Sequence, residues 1–455
     1  MAITLDITGV LQAAAFWVSN KGGDNSRKLF FYFYVMLALL SVALGNDPVI
    51  LSGTAFLVYY TNAAGLEPIA WLIAEFAAAN TSSMVLFVGN PTNVVICEGF
   101  GVNNAAFTAY TILPFLACTV ACFIALAIQF RDKHYVTRKA SIIEPLDVRG
   151  AVRDPVGAWV GSILLGTCLV VIIIVSFFKV DVWQISVPFA VAKVAFDLAW
   201  DFYRFRKRRS TDSEKPQSEE DFVQSALNRA MSFQGHPALT FDHKKLPVNS
   251  SPSRKSSSDI FGASDEKALF LRQRNFLKEL RTSFVDHFPT LSAALPRLPF
   301  GLIPFAFSQF ILIEALARRG WIDVFAHWLV KATGGDIYPV VWLIGVLGVL
   351  LCNVAGTNIG ATIMLTKIVR VAKLSGPSTR AAAIALAVAS NIGAVSFTFS
   401  ASLAGLLWKS ILGDKGITVT QRSFAFWNLL PLSVMTTVGL AIVSAEMAVL
   451  YPGIR

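Results

Sequence analysis

Charge is scarce in this chain. Asp, Glu, Lys and Arg make up 15% of its 455 residues against 55% apolar ones, and mean hydropathy is +0.58. Soluble domains carry about 25% charged residues, so a secreted or cytosolic globular protein is excluded. Histidine is rare too, with five in all. Four of these lie in loops, and the fifth, His327, stands beside Trp321, Asp323 and Trp328 in what reads as an amphipathic helix at a membrane interface. No metal or catalytic cluster assembles from them, and no nucleophile–base set lies at membrane depth, which speaks against an enzyme. The five cysteines (Cys97, Cys118, Cys122, Cys168 and Cys352) lack the paired CxxC spacing of zinc or redox sites. They read as small packing residues, although Cys118 and Cys122, four apart, share a helix face that would suit a thiophilic ligand. Strands of alternating polarity do not recur, so an outer-membrane barrel is excluded.

What the chain has instead is long apolar runs. Helices are expected at roughly 5–19, 29–45, 68–88, 105–130, 155–178, 183–200, 298–318, 337–352, 379–398 and 422–448. Several are long enough to cross about 30 Å of hydrocarbon. The fold class is therefore all-α: a polytopic membrane protein of about ten to twelve transmembrane or re-entrant segments. The net charge of +10 sits mostly in loops between apolar segments, the pattern of positive-inside topology rather than of nucleic-acid binding. Loop 131–153, with Arg131, Lys133, Arg138, Lys139, Arg149 and Arg153, and segment 201–296, opened by Arg204, Arg206, Lys207, Arg208 and Arg209, belong on the cytoplasmic side. The Ser-, Pro-, Lys- and Glu-rich part of 201–296 reads as a disordered loop, and its run Arg254-Lys255-Ser256-Ser257-Ser258-Asp259 as solvated linker. Such a loop is eukaryotic in style and points to a plasma or vacuolar membrane.

An internal repeat organises the rest. Gly9 and Gly320, Trp17 and Trp328, and Asn80 and Asn391 are each 311 positions apart, while Asn46 and Asn358, and Thr54 and Thr366, are 312 apart. Counting crossings from the two cytoplasmic loops sets the second half in opposite orientation to the first. Inverted repeats of this kind belong to secondary transporters, whose substrate sits between the halves near the midplane. The expected domains are a first repeat at 1–130, a connecting loop and two transmembrane helices at 131–200, the cytoplasmic loop at 201–296 and a second repeat at 297–455. The helix that opens the second repeat has no counterpart after Met1, so the chain reads as an N-terminally shortened transporter or as a degenerate, non-transporting regulator.

Each half carries two polar interruptions. Gly45-Asn46-Asp47-Pro48 and Gly356-Thr357-Asn358-Ile359-Gly360 form one equivalent pair. Gly89-Asn90-Pro91-Thr92-Asn93 and the stretch from Asn391 through Ser396, Thr398 and Ser400 to Ser402 form the other. Backbone groups freed at such breaks cannot stay unpaired in lipid, so they line a polar cavity or bind an ion. Breaks of this composition also serve close helix packing, but four at equivalent places favour a shared binding centre. Asp47 is the sharpest residue, because a carboxylate at membrane depth is costly unless it binds a cation, carries a proton or meets a base. Glu75, Glu98 and Glu314 are weaker candidates with structural or interfacial readings. Lys367, Arg370 and Lys373 recur along one helix face and, with Arg380, would draw anions into an outer vestibule.

These motifs resemble the ion-transporter superfamily that includes arsenite-efflux permeases, sodium/proton antiporters, citrate–metal symporters and sodium–dicarboxylate symporters. Gly45-Asn46-Asp47 is similar to the signature at the tip of the family's re-entrant hairpin, and Gly89-Asn90-Pro91-Thr92-Asn93 to the break in the following helix. The second half departs further: Thr357-Asn358-Ile359 keeps the central asparagine, and Ser400-Ala401-Ser402 stands where the second break is expected. An Asn-Asp pair with a Gly-Asn-Pro-x-Asn segment is closest to the arsenite-permease branch. A carboxylate beside the site would also repel a di- or tricarboxylate unless a cation intervened.

The resemblance implies proton-coupled efflux of arsenite or an anion, with a citrate or dicarboxylate symporter and a sodium/proton antiporter as the rival readings. The expected site is Asn46, Asp47, Gly89, Asn90, Thr92, Asn93, Thr357, Asn358, Asn391 and Ser400. It works without a cofactor beyond a coupling proton or sodium ion. The expected partners are a small inorganic or carboxylate ion and the lipid bilayer, with no nucleic acid; the resemblance also implies a homodimer.

Overall fold

The computed structural model describes residues 1–23, 25–137, 146–175, 182–211, 280–298 and 300–453. The serine-rich part of the expected loop, including 254–259, lies outside these residues. The described part is helical, with no strand among the described residues, so the protein is an all-α polytopic membrane protein. Six of its helices are long and apolar enough to cross a bilayer.

The chain divides into two compact units, one of Met1–Val191 with Pro299–Arg455 and one of Ala192–Leu298. In the first unit, α1 (Ala2–Ile7), α2 (Val10–Gly22), α3 (Ser26–Leu44), α4 (Asn46–Ala63) and α5 (Pro68–Ser82) lead to a 3-10 turn at Phe87–Gly89, then α6 (Pro91–Phe100) and α7 (Asn104–Gln129). Next come the short α8 (Val148–Ala151), α9 (Pro155–Val175) and α10 (Val182–Thr211), which runs on into the second unit, where α11 (Pro289–Ala294) follows. The first unit resumes with α12 (Leu302–Arg318), α13 (Trp321–Thr333), α14 (Ile337–Val354), α15 (Asn358–Val371) and α16 (Gly376–Ile392). A 3-10 turn at Phe399–Ala401 precedes α17 (Leu403–Asp414) and α18 (Gln421–Leu450).

The order of elements from α1 to α7 thus recurs from α12 to α18, each time with a 3-10 turn before the sixth helix. Local sequence sets the boundaries in matching ways. Gly9 (φ +90°) and Gly320 (φ +77°) adopt left-handed backbone at the starts of α2 and α13, a conformation that costs glycine little. That glycine splits the single helix expected at 5–19 into α1 and α2. Side-chain oxygens of Asn25, Asn103, Ser375 and Thr420 cap the first turns of α3, α7, α16 and α18. Trp17 on α2 and Trp328 on α13 are both about half exposed, and His327 faces outward beside Trp328, as an interfacial helix requires.

The outer surface is apolar. Leu113, Leu116, Val120 and Ile124 on α7, Trp159, Ile163 and Val170 on α9, and Ile303 and Phe307 on α12 are exposed, as suits side chains whose solvent is lipid. The interior is made of alanine: Ala74, Ala77, Ala78 and Ala79 on α5, and Ala381, Ala382, Ala385, Ala387 and Ala389 on α16, are buried. Small side chains let neighbouring backbones close in, the main source of helix association in a membrane. The halves exchange contacts reciprocally, α4 packing on α17 and α15 on α6, while the long α7 and α18 lie against each other. Along that seam Gln129 Nε2 donates to the Trp427 carbonyl (2.8 Å) and Cys118 Sγ to the Met435 carbonyl (3.5 Å). All five cysteines are free and buried, in keeping with packing roles.

In the second unit α10 continues to Thr211, past the expected end at 200. Lys193 and Asp197 form a buried ion pair one turn apart on α10. Asp201 accepts from Thr290 N and Thr290 Oγ1 (2.8 Å each) and so holds the first turn of α11. Segment 201–296 is therefore ordered at its two ends, where the composition alone had suggested loop throughout.

Candidate functional site

Helices α4, α5, α6 and α16 meet through polar side chains at the ends of α5 and α16. Neither helix reaches the length of a full crossing, and each gives way to a non-helical stretch, residues 83–90 after α5 and 393–402 after α16. Asn46, at the first position of α4, donates through Nδ2 to Asn80 Oδ1 on α5 (3.1 Å). Asn80 donates back to the Phe76 carbonyl (2.9 Å), and its own carbonyl accepts from Ser83 Oγ (2.7 Å). Ser83 Oγ also reaches Asn391 Oδ1 on α16 (3.0 Å), and Asn391 Nδ2 donates to Asn93 Oδ1 on α6 (2.8 Å). A second link, Ser390 Oγ to Thr92 Oγ1 (3.3 Å), runs beside it. Asn46, Asn80, Ser83, Thr92, Asn93, Ser390 and Asn391 are all buried. Polar groups drawn from both halves thus form one connected network in a place where unpaired ones would each cost about 1–3 kcal/mol.

The breaks are held open by asparagine in two complementary ways. Asn93 Nδ2 donates to the freed carbonyls of Ser83 (2.9 Å) and Leu86 (2.8 Å). Asn353, on α14, instead accepts at Oδ1 from Phe397 N (3.0 Å), Thr398 N (3.1 Å) and Thr398 Oγ1 (3.2 Å). Gly89 lies so close to the first break that a methyl group on it would stand 2.2 Å from the Ser83 carbonyl oxygen. Gly45, at φ +84°, brings the start of α4 against the Gly89 carbonyl, 3.2 Å from where its own methyl would be.

Of the residues expected from sequence, Asn46, Asn93 and Asn391 fall inside this network and Thr92 on its edge. Asn90 is buried and caps α6 by accepting from Thr92 N (3.1 Å), while its Nδ2 has no partner. Thr357 caps α15 by accepting from Ile359 N (3.2 Å). Asn358 is buried beside it, with no side-chain hydrogen bond among the described residues. Asp47 is half-buried in the first turn of α4, and its carboxylate has no hydrogen-bond or ion-pair partner among the described residues. The positive end of the helix is its nearest compensation.

Ser400 is not brought in. It is exposed in the 3-10 turn, and Ser402, buried and capping α17 through Gly405 N (3.0 Å), takes the place that Asn90 holds in the first half. The spacing of the repeat carries that signal, since Asn90 and Ser402 share the 312-residue offset of Asn46 and Asn358. Ser83, Ser390 and Asn353 were not singled out from sequence. Serine in an alanine-rich helix reads as packing, and Asn353 stands before its break rather than in it. Of the basic stripe, Lys367 is paired with Glu314 (2.6 Å), while Arg370 and Lys373 are exposed. The Arg380 guanidinium lies over the rings of Tyr110 and Tyr451, 5.9 Å from each. Glu98 and Glu314 are exposed, in line with interfacial positions.

The broken helices enclose a buried amide-and-hydroxyl centre, and comparison with known proteins finds a family likeness for the first part of the chain. Residues 1–205 match the citrate transporter family. That stretch carries Asn46, Asp47, Asn90, Thr92 and Asn93. The chain is also similar to the arsenical pump membrane protein of Escherichia coli (strain K12), 26% identical over 198 residues, 43% of this chain and 44% of that protein. The same protein of Yersinia enterocolitica is 26% identical over 197 residues with the same coverage. A 46 kDa membrane protein of Mycobacterium leprae (strain TN) is 25% identical over 169 residues, 37% of this chain and 38% of that one. The chain thus spans less than half the length of the relatives it matches. These likenesses agree with the ion-transporter superfamily, and with its arsenite-permease branch, to which the motifs pointed.

Proposed function

We propose that this chain is a secondary active transporter whose two halves, inverted relative to each other, rock about the Asn46–Asn80–Ser83–Asn391–Asn93 centre. One observation carries the reading: Asn391 and Ser390 in the second half donate to Asn93 and Thr92 in the first, and Asn391 accepts from Ser83. A link of that kind at the broken ends of helices is where rocking would open and close a midplane site. Element order supports the repeat, and the reciprocal contacts of α4 with α17 and α15 with α6 give each half the same role toward the other.

The centre suits a small, weakly charged, hydroxylated solute. Amides supply donors and acceptors together, and Asn90 Nδ2 is buried with no partner among the described residues. Arsenous acid is a neutral trihydroxide near pH 7 and matches such groups. The unpaired Asp47 carboxylate disfavours citrate unless a cation accompanies it, and it is the group placed to carry a coupling proton or sodium ion. Proton-coupled arsenite efflux is therefore the reading, with the arsenical pump proteins as its precedent. The match of 1–205 to the citrate transporter family favours citrate with a bound cation as the second reading. Equilibrium exchange of arsenite and of citrate across vesicles bearing the full chain separates the two. Arsenite exchange abolished by Asn391→Ala supports the first reading, and citrate exchange that requires a cation replaces it with the second.

A further inference from the structure

One buried carboxylate stands outside the asparagine centre. Glu75, on α5, is fully buried. Its Oε2 accepts from Thr54 Oγ1 on α4 (3.0 Å), and its Oε1 has no partner among the described residues. Other buried acids are better provided for. Asp197 has Lys193, Asp201 has Thr290, and Asp154 accepts from Gly157 N. Trp71 Nε1, one turn before Glu75 on the same helix, is also buried without a partner. The backbone of α4 comes so close here that a methyl group on Gly53 would lie 2.4 Å from Glu75 Oε1. The fit around the carboxyl group is close.

An ionised carboxylate in such a place, with one hydroxyl and no cation, is costly. A proton bound at Oε1 removes the charge and needs no further space. The ionisable groups on the helices packed against α5 that are not exposed are Tyr34 on α3, Asp47 and Tyr60 on α4, Tyr110, Cys118 and Cys122 on α7, and Glu446 on α18. None forms an ion pair with Glu75, and the basic side chains of the packed helices, Arg27 and Lys28 on α3, Arg380 on α16, Lys409 on α17 and Arg422 on α18, are exposed. Geometry ties the group to the centre. Glu75–Thr54 and Asn80–Asn46 are two rungs between the same two helices, so water reaches Oε1 when α5 and α4 part, and parting strains the rung at Asn46.

We propose that Glu75 is a proton-binding site of this chain, distinct from the asparagine centre, loaded and emptied as α4 separates from α5. On loading, an O–H bond forms at Oε1 and the carboxylate becomes a neutral acid; on emptying, that bond breaks and the proton leaves to water on the newly opened side. The use made of this proton rests on the transport reading, whereas the site itself does not.

The test is infrared difference spectroscopy of the full chain in lipid vesicles as pH is stepped. The expected result is a protonated-carboxyl stretching band that rises and falls with pH, persists in Asp47→Asn and Glu446→Gln, and is missing in Glu75→Gln. Thr54→Val should move the midpoint of that band by about one pH unit, the tenfold change equivalent to the roughly 1.4 kcal/mol of one hydrogen bond to a charged group, and Thr54→Ser should leave it in place. A wild-type spectrum with no titrating band, a band that survives Glu75→Gln, or a midpoint untouched by Thr54→Val would each overturn the proposal. Should Glu75→Gln fail to reach the membrane, the Thr54 pair decides alone, since the band of a carboxyl touching Thr54 is the one that moves. In flux measurements Glu75→Gln should lose at least tenfold of gradient-driven movement while keeping exchange between equal pools. A titrating band in a chain that moves no substrate would contradict the transport reading and leave the proton site standing.

Discussion

Asn391 Nδ2 donates to Asn93 Oδ1 across 2.8 Å, joining residues 298 positions apart and on opposite halves of the repeat. Both side chains are fully buried. Asn391→Ala would strand Asn93 Oδ1, while the Ser83 hydroxyl keeps the Asn80 carbonyl, so a loss of about 1–3 kcal/mol is expected. Thermal unfolding in detergent measures it, and a double-mutant cycle with Asn93→Ala should return a coupling of about 0.5–3 kcal/mol. Additive losses would mean that the two amides do not act together.

Gly89→Ala is expected to be among the most damaging single-methyl changes in the chain. The added carbon would stand 2.2 Å from the Ser83 carbonyl oxygen, a backbone atom that cannot swing aside, and overpacking of this sort costs about 1–3 kcal/mol. A methyl on Gly413 meets nothing within 4 Å. Gly413→Ala is therefore the control, and the yield of folded protein in membranes should fall for the first variant and not for the second.

Asp47→Asn keeps the size of the side chain in the first turn of α4 and removes the one carboxylate beside the asparagine centre. The protein should still insert and fold, because the Asp47 side chain has no partner to lose among the described residues. The pH profile of gradient-driven flux should lose the step that Asp47 contributes, since an amide carries no exchangeable proton charge. Measuring initial rates at several pH values checks this, and an unchanged pH profile would remove Asp47 from the coupling role.

Cys118 and Cys122 share a face of α7, but both are buried, Cys118 at the seam with α18 and Cys122 beside Tyr34 of α3. Thiols in that position do not meet solute. The double variant Cys118→Ala with Cys122→Ala is expected to lose about 1–3 kcal/mol of stability through the cavity it leaves, and to keep arsenite flux within about twofold, a barrier change under 0.5 kcal/mol. Flux lost in a folded double variant would make the thiols ligands.

The long apolar helices were legible because lipid demands uninterrupted hydrophobic length, and α3, α7, α9, α14 and α18 end close to where the sequence placed them. Helix α4 was not legible: Asp47, Ser52, Thr54 and Asn62 dilute its hydropathy, and its polar face points into protein rather than lipid. The breaks could be read from Gly, Pro and Asn and from the repeat offset, which placed Asn46, Thr92, Asn93 and Asn391. Their partners could not. Ser83 and Ser390 reach across to the other half only because α5 and α16 end where they do, and Asn353 holds a break more than forty residues downstream in sequence. Sequence alone does not separate Ser400 from Ser402, because both stand in one polar run and which of them faces inward depends on the single turn that starts α17.

The central claim is that the asparagine centre moves solute between two sides of a membrane, and its most direct test is arsenite flux into sealed vesicles bearing the full chain, with and without an imposed proton gradient. Asn46→Ala, which cuts the Asn46–Asn80 rung without touching the other half, is the blank. The account expects gradient-driven flux in the natural chain and at least a tenfold loss in Asn46→Ala. Flux of equal size in both, or none with arsenite, citrate, succinate or sodium in a folded natural chain, would contradict it.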